Sequence, residues 1–506
     1  MRAVFACLAL AAVAPAQPIF RFTEKPGPHP VGLKVVEQYD YSRVFRHATD
    51  EFGKPFTGER ARPLQTLIWY PAQPGGKPMT VADYGNLAAT ETSFGHPKIS
   101  VDAAEWIQSM KPSLGSTMWA VRDAPAAPGR FPVVIYAPSF SAMSWENADL
   151  CEYLASHGYV VLATPDMGAT DRPMTNDIAG INAQAADISF LIGYAQTLAN
   201  ADLSGVAVAG FSWGGISNLF AAARDSRIRA LIALDGSMRY FPGWVKDAGV
   251  HPEDMTIPLL YFAQGEITLE EAARYFNGPG MSGAPNVLNS WTHGDLITAH
   301  MLGLVHVEHS SMYQRNEDAW KRYKEDHKGD YEREDGIVGY AWIARYTLQF
   351  VNAYLKHDAA AMAFLKKTPA ENGVPRHFMT VNFRAAKGSP ASFESFRSEV
   401  GRQGFAHAAD VYAAMQKEKA DFKLDQLAMR VWSNDLIAGH HLPEAIDLLK
   451  FEVQIYPDSG TLDSLGDAYR RSGQTQLAIE SYKKALETSP SDETAKEKLK
   501  ELGNAK

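Results

Sequence analysis

The sequence predicts an α/β protein with a mostly parallel, doubly wound sheet, followed by a small all-α domain. Continuously apolar stretches such as residues 131–137 and 228–234 alternate with segments of helical character. This alternation is typical of parallel strands that are buried on both faces by helices. Beyond residue 400 the composition turns to helix-forming residues. A second, helical domain is therefore expected after the sheet.

The segment 206–215, VAVAGFSWGG, is the most informative part of the chain. Its small apolar residues predict a buried strand, and the glycines on either side of Ser212 permit the tight turn that raises a hydroxyl above a sheet. Helix-compatible residues 216–224 follow this turn. The strand, turn and helix together predict a nucleophile elbow and, with it, the α/β-hydrolase fold.

Length and charge restrict the class of protein. The chain has 506 residues, enough for two or more domains, and a net charge of −9 with no basic run, which argues against a nucleic-acid surface. Residues 1–16 combine Arg2, an apolar stretch and a small-residue cleavage site, as in a secretory signal peptide. No apolar run approaches the ~20 residues of a transmembrane helix. We therefore expect a periplasmic or secreted protein.

The remaining elements are predicted in chain order. Strands at 31–36 and 64–70 begin the sheet, and a surface excursion with a helix near 101–110 follows them. Further strands are expected at 131–137, 159–164, 205–209, 228–234 and 258–263, and helices at 146–157, 182–200 and 336–356. Residues 302–309 are expected to form a last strand that ends at His309.

The domains are predicted as a signal peptide at 1–16, a catalytic domain at 17–366, a linker at 367–400 and helical repeats at 401–506. In the repeats, small residues and prolines fit a tetratricopeptide spacing, including Gly466, Ala478, Ala485 and Pro490. A looser copy precedes this unit, and flanking helices at 405–416 and 492–502 are expected to pack against and cap the pair. Such repeats present a surface for a protein partner.

A serine hydroxyl becomes a nucleophile when a histidine accepts its proton and a carboxylate orients that histidine. In this fold the three residues follow the order serine, acid, histidine. His309, at the end of the expected last strand, is the preferred base. His306 is the alternative, although strand alternation points it the opposite way from the residue that follows it. The spacing lacks the pattern of a zinc site, so no metal is expected.

Two carboxylates are candidates for the acid. Asp235 ends the strand at 230–234, whereas Glu266 follows the strand at 258–263. Both are strand-end residues, and the residues themselves leave both open. For the oxyanion hole, two backbone N–H groups are needed. Trp213, directly after the nucleophile, and Phe140, in the loop after the strand at 131–137, are expected to supply them.

With these residues in view, the chain resembles bacterial relatives of platelet-activating-factor acetylhydrolase and dienelactone hydrolase over roughly residues 26–366. The setting of Asp235 after Ala233-Leu234 matches the acid of the acetylhydrolases, and His309 matches their base in a His-x-x-apolar turn. The loop 138–141, Pro-Ser-Phe-Ser, departs from the family's His-Gly-x-Gly. The resemblance implies a Ser-His-Asp triad with Asp235 as acid.

The sequence thus predicts an exported serine hydrolase that cleaves small-molecule carboxylic esters through an acyl-enzyme intermediate and requires no cofactor. Two alternatives stay open: a non-catalytic scaffold that binds a partner through the repeats, and an acyltransferase. The identity of the ester and its acyl length are not specified by these residues.

Overall fold

The computed structural model describes residues 20–50, 52–265, 281, 284–323 and 331–504. It divides into two compact units, Met1–Lys387 and Gly388–Lys506. The expected signal peptide at 1–16 and the candidate acid Glu266 lie outside the described residues. Among the described helices, none is both long and apolar enough to span a bilayer.

The described part of the first unit contains eleven strands: β1 Val31–Val44, β2 Ala61–Pro71, β3 Pro78–Thr80, β4 Thr117–Arg122, β5 Phe131–Ala137, β6 Val160–Ala163, β7 Ala201–Phe211, β8 Ile228–Leu234, β9 Leu259–Gln264, β10 Leu296–Met301 and β11 Met379–Arg384. They form one sheet in the order β11-β10-β9-β8-β7-β5-β6-β2-β1-β4-β3. The strands from β5 to β10 pair in parallel, whereas β2 joins β6, and β11 joins β10, in antiparallel register.

Helices cover both faces of this sheet. The described helices of the unit are α1 Val81–Gly85, α2 Val101–Ser109, α3 Ala148–Ser156, α4 Ile178–Ala195, α5 Trp213–Ala222, α6 Pro242–Asp247, α7 Val287–Ser290, α8 Ser311–Arg315, α9 Glu317–Tyr323, α10 Arg333–Leu355 and α11 Ala359–Lys366. Alternate residues of β5 enter two separate cores: Val134 packs with α3 and α10, and Ile135 packs with α4 and α5. The predicted fold class is therefore confirmed.

Two sequence predictions about this unit are wrong. The expected last strand at 302–309 does not form: β10 ends at Met301, and His306–His309 is a 3₁₀ turn. The segment 367–400, expected as a linker, contains the edge strand β11, which pairs with β10 along its length. Because an edge strand exposes one side to water, β11 carries polar residues and lacks the continuous apolar pattern of the central strands.

The second unit is helical over its described residues. Its helices are α12 Phe393–Gln403, α13 Ala408–Glu418, α14 Gln426–Ala438, α15 Leu442–Ile455, α16 Ser459–Arg471, α17 Thr475–Thr488 and α18 Glu493–Asn504. At Gly466, an added Cβ would lie 2.4 Å from the ring of Tyr482, so glycine allows α16 and α17 to approach closely.

Two turns of this unit repeat the same geometry. Gly473 follows α16 with φ 79°, and His440 follows α14 with φ 62°. The next N–H in each turn bonds five residues back, from Gln474 to the Tyr469 carbonyl and from His441 to that of Leu436. A helix end with one residue in the left-handed conformation and this hydrogen bond is a Schellman-type cap. The repetition agrees with two related helix pairs, while their assignment as tetratricopeptide repeats stays a prediction.

Candidate active site

Ser212 occupies the sharp turn between β7 and α5. Its backbone has φ 52° and ψ −113°, a conformation that L-residues rarely adopt and that costs free energy. The flanking glycine Gly214 makes the turn possible, because a Cβ there would lie 2.0 Å from the Ala137 carbonyl oxygen. The hydroxyl of Ser212 is thereby placed at the carboxyl edge of the parallel strands, as a nucleophile elbow requires.

His306 is the histidine that contacts this serine. Its Nε2 lies 2.9 Å from Ser212 Oγ, and its Nδ1 lies 2.6 Å from Asp235 Oδ2. The backbone N–H of His306 donates to Gln264 Oε1 at 3.2 Å, and its ring packs on Phe211 with 5.0 Å between centroids. One imidazole therefore bridges the hydroxyl and the carboxylate.

The expectation that His309 faces Ser212 is corrected by this geometry. His309 is fully buried, its Nδ1 lies 3.1 Å from the carbonyl oxygen of His306, and its ring stacks on Phe211. Burial lowers its pKa, which keeps the ring neutral. The strand alternation used to set His306 aside does not apply, because the segment is a 3₁₀ turn in which residues three apart lie on one side. Both histidine rings therefore contact Phe211, and of the two only His306 also contacts Ser212.

Asp235 is the carboxylate of the group. It follows β8, is fully buried, and has φ 41°. Its Oδ1 accepts a hydrogen bond from Tyr240 Oη at 3.0 Å, and its Oδ2 faces His306. Burial alone would raise the pKa of Asp235, but the hydrogen bond and charge of His306 outweigh it and lower the pKa to about 2. Asp235 is therefore ionised at neutral pH.

The loop after β5 carries Phe140, whose N–H is the second expected oxyanion donor. The N–H of Ser139 donates to Glu146 Oε2 at 2.9 Å, and the N–H of Ser141 donates to Asp166 Oδ2 at 2.8 Å. Within the described residues, the intervening N–H of Phe140 and that of Trp213 have no protein acceptor. The Phe140 ring also contacts the Trp213 ring, with 5.3 Å between centroids. Both N–H groups are therefore available to a ligand, and their role as oxyanion donors stays a prediction.

Two buried residues that the sequence reasoning missed support both loops. Glu146 is fully buried and accepts hydrogen bonds from Ser139 and Tyr136. Burial raises the pKa of Glu146 to about 7 despite these hydrogen bonds. The adjacent Asn147 donates to the carbonyl of His309 at 3.2 Å. The signal in the sequence that could have indicated them is a glutamate next to an asparagine, directly before the largely apolar helix α3.

Comparisons with known proteins bear on the fold and on the class of enzyme. Residues 89–243 match the family model described as chlorophyllase. A solved ferulic acid esterase from Streptomyces cinnamoneus is similar at 19% sequence identity, with a TM-score of 0.50, over 72% of this chain and 98% of that one. No curated protein matches the chain. Both matches point to hydrolases of ester bonds, the class of enzyme expected from the sequence, and the structural likeness shows that this chain has the α/β-hydrolase fold.

Proposed function

We propose that the protein is a serine hydrolase that cleaves carboxylic esters through an acyl-enzyme intermediate, with Ser212, His306 and Asp235 as its triad. One observation carries the proposal: a single imidazole lies within hydrogen-bond distance of a strained elbow serine and of a buried carboxylate. A strained backbone with a buried charge behind it is costly to maintain, and such features concentrate at working sites.

Each group has a distinct step. Ser212 Oγ attacks the ester carbonyl carbon while its proton passes to His306 Nε2. The N–H groups of Trp213 and Phe140 stabilise the negative charge that develops on the carbonyl oxygen. His306 then donates the proton to the leaving alkoxide oxygen as the C–O bond breaks. Water repeats the sequence on the acyl-enzyme and releases the acid.

Asp235 acts through His306. Its contact with Nδ1 keeps that nitrogen protonated, so that Nε2 is free to accept the proton of Ser212. With its pKa lowered to about 2, the carboxylate also stabilises the imidazolium that forms in the first step. The resemblance to the acetylhydrolases supports this role, since Asp235 directly follows the strand after the nucleophile. We propose that the chain belongs to that branch.

The export of the enzyme is part of the proposal and rests on residues 1–16 alone. Expression in a bacterium, followed by fractionation and mass spectrometry, tests it. We expect a periplasmic or secreted product whose chain begins at Gln17. A cytoplasmic product that retains Met1 would contradict export without affecting the assignment of the site.

The activity is tested with a panel of p-nitrophenyl esters and a fluorophosphonate probe. The full chain should hydrolyse short esters and be labelled on Ser212. Ser212→Ala should abolish labelling and lower kcat by at least about 10³-fold. Ser217→Ala is a matched control, because this buried hydroxyl lies one turn along the same helix and has no hydrogen-bond partner among the described residues. Labelling that persists in Ser212→Ala would show that another residue is the nucleophile and would refute the proposed triad. A full chain that is neither labelled nor active on any ester would favour a scaffold role.

A further inference from the structure

A cavity of about 330 Å³ lies beside the oxyanion loop. Six of the residues that line it are Glu91, Trp106, Phe140, Met143, Arg172 and Tyr313. The volume is at the lower end of the range for small-molecule pockets, so it suits one ring with a short arm. Part of the wall is aromatic or contains sulfur, and the rings of Trp106 and Tyr313 meet edge to face, with 4.8 Å between centroids.

The cavity is adjacent to the proposed triad. Phe140, one of the two proposed oxyanion donors, forms part of its wall. On another side, Tyr313 belongs to helix α8, which follows the histidine turn. The rings of Tyr313 and His306 both pack against Phe211, at 6.4 Å and 5.0 Å between centroids. The cavity therefore shares one wall residue with the proposed oxyanion hole, and another of its wall residues packs on the same ring as His306.

Two buried polar atoms of the lining residues are unsatisfied. Glu91 is 6% exposed, and its Oε2 accepts from Arg172 Nε at 3.0 Å and from Arg172 Nη2 at 2.9 Å. Its other oxygen, Oε1, has no hydrogen-bond partner in the described part of the chain, nor has the indole N–H of Trp106. Buried polar groups are usually paired, and leaving one unpaired costs free energy. These atoms are therefore suited to a ligand.

The charges indicate which ligand. Arg172 already neutralises Glu91, and its remaining N–H groups reach backbone carbonyls of the loop, including Asp166 at 2.8 Å. The other lining carboxylate, Asp102, is exposed to solvent, so the charge nearest to Glu91 Oε1 is that of Arg172. A second cation at this oxygen would be repelled by the guanidinium, whereas a neutral donor would not. A hydroxyl donates to a carboxylate oxygen and also accepts a hydrogen bond. The aromatic walls favour a planar ring as the carrier of that hydroxyl.

We propose that this cavity binds a hydroxyl-bearing aromatic ring of the ester substrate, with the hydroxyl donating to Glu91 Oε1. The indole N–H of Trp106 donates to an oxygen of the same group. The inference rests on the proposed esterase function and adds the class of substrate to it. In this proposal Glu91 and Trp106 determine which substrates bind, and neither residue takes part in the chemical step.

The test compares kcat/KM for matched pairs of esters. Methyl 3-(hydroxyphenyl)propanoates are compared with methyl 3-phenylpropanoate, which places the ring on the acyl side. 2-(Hydroxyphenyl)ethyl acetates are compared with 2-phenylethyl acetate, which places it on the alcohol side. The meta and para isomers are both included. We expect a preference of about tenfold or more for a hydroxylated ester in at least one pair, the size of a hydrogen bond to a charged acceptor.

Variants then assign the preference to its atoms. Glu91→Gln should reduce this preference to under about threefold. The amide oxygen must accept from Arg172, which turns the amide N–H groups, and no acceptor, toward the ligand. Trp106→Phe keeps the ring but removes the N–H, and should reduce it about threefold. Glu105→Gln is the matched control, since Glu105 is exposed on the same helix. It should keep the wild-type preference.

The outcomes separate this inference from the function on which it rests. Hydrolysis of p-nitrophenyl acetate without any preference for a hydroxylated ester would overturn the inference and leave the esterase proposal standing. A preference that survives in Glu91→Gln would overturn the role of Glu91. Failure to hydrolyse every ester would overturn the proposed function itself.

Discussion

The carboxyl edge of the sheet and the helical unit use left-handed backbone conformations for different purposes. At the sheet edge, Ser141, Ser212 and Asp235 have φ of 55°, 52° and 41°, although none of them is glycine. In the helical unit, Gly473 and His440 have φ of 79° and 62°, and each lies just after a helix. These two are ordinary helix ends. Ser212 and Asp235 instead flank His306 at a proposed reaction centre.

Buried polar groups show the same difference. At the sheet edge, Asp235, Glu146 and His309 are each fully buried. Asp235 contacts His306 in the histidine turn, and Asn147, the neighbour of Glu146, donates to the carbonyl of His309 in the same turn. The helical unit buries Glu452, which pairs with Ser433 at 2.9 Å on the neighbouring helix, a contact that joins two helices. Strain and buried charge that come together around one hydrogen-bonded group are best explained by function there. The following experiments test that contrast.

The largest effect is expected at the histidine turn. His306→Ala should lower kcat by roughly 10⁵-fold, because the proton acceptor of Ser212 is lost. His309→Asn should lower it less than tenfold, since the amide can replace the Nδ1 contact to the backbone. Steady-state kinetics on folded variants measure both. The reverse ranking would restore His309 as the base.

A slightly smaller loss is expected for Asp235→Asn. The amide leaves the shape of the site but favours the wrong tautomer of His306, which costs about 10⁴-fold in kcat. The pKa of Asp235 in the wild type is about 2, so its protonation does not account for any loss of wild-type activity above about pH 3. A pH profile of kcat/KM checks this. A variant within tenfold of wild type would remove Asp235 from the triad.

The pH dependence of the free energy of unfolding should differ between a buried carboxylate and an exposed one. Burial raises the pKa of Glu152 to about 7, although Tyr84 and the Trp119 N–H donate to it. Between pH 4.5 and 7 the native state then binds more protons than the unfolded state, so its free energy of unfolding falls as pH rises.

In Glu152→Gln this dependence should disappear. From pH 5 to pH 8 we expect the wild type to lose roughly 2 to 3 kcal/mol more than the variant. Thermal unfolding followed by loss of esterase activity reports on this unit. Glu105→Gln, at an exposed position, is the control and should follow the wild type. Parallel pH profiles for wild type and Glu152→Gln would show that Glu152 is ionised throughout.

The smallest effect is expected from removing the helical unit. The proposed triad and the oxyanion donors all precede Lys387, where the first unit ends. A chain that stops there should therefore keep kcat/KM for p-nitrophenyl acetate within about threefold of the full chain. Circular dichroism establishes that the product is folded. A folded but inactive product would mean that the helical unit completes the site.

Local sequence patterns predicted much of this molecule. The small apolar run before Ser212 and the glycines around it predict a strand, an elbow and a helix, because steric limits on backbone and Cβ act over only a few residues. The apolar strands at 131–137 and 228–234 coincide with β5 and β8. Asp235 follows directly from β8, so its place near the nucleophile depends only on the order of parallel strands.

The choice of histidine depended on tertiary structure. His306 and His309 lie in the same short segment, and which of them reaches Ser212 depends on whether that segment extends as a strand or turns after Met301. Contacts distant in sequence hold the turn, among them His306 N–H to Gln264 and Asn147 to the carbonyl of His309.

The sequence by itself therefore determined the fold class and the candidate nucleophile, and it limited the acid to two strand-end carboxylates, since each of these is specified by residues adjacent along the chain. Only the tertiary structure decided that His306 faces Ser212, that Glu146 and Asn147 support the loops, and that Glu91 and Trp106 share one cavity. Those relations join segments far apart in the chain. They are set by packing, which no local pattern encodes.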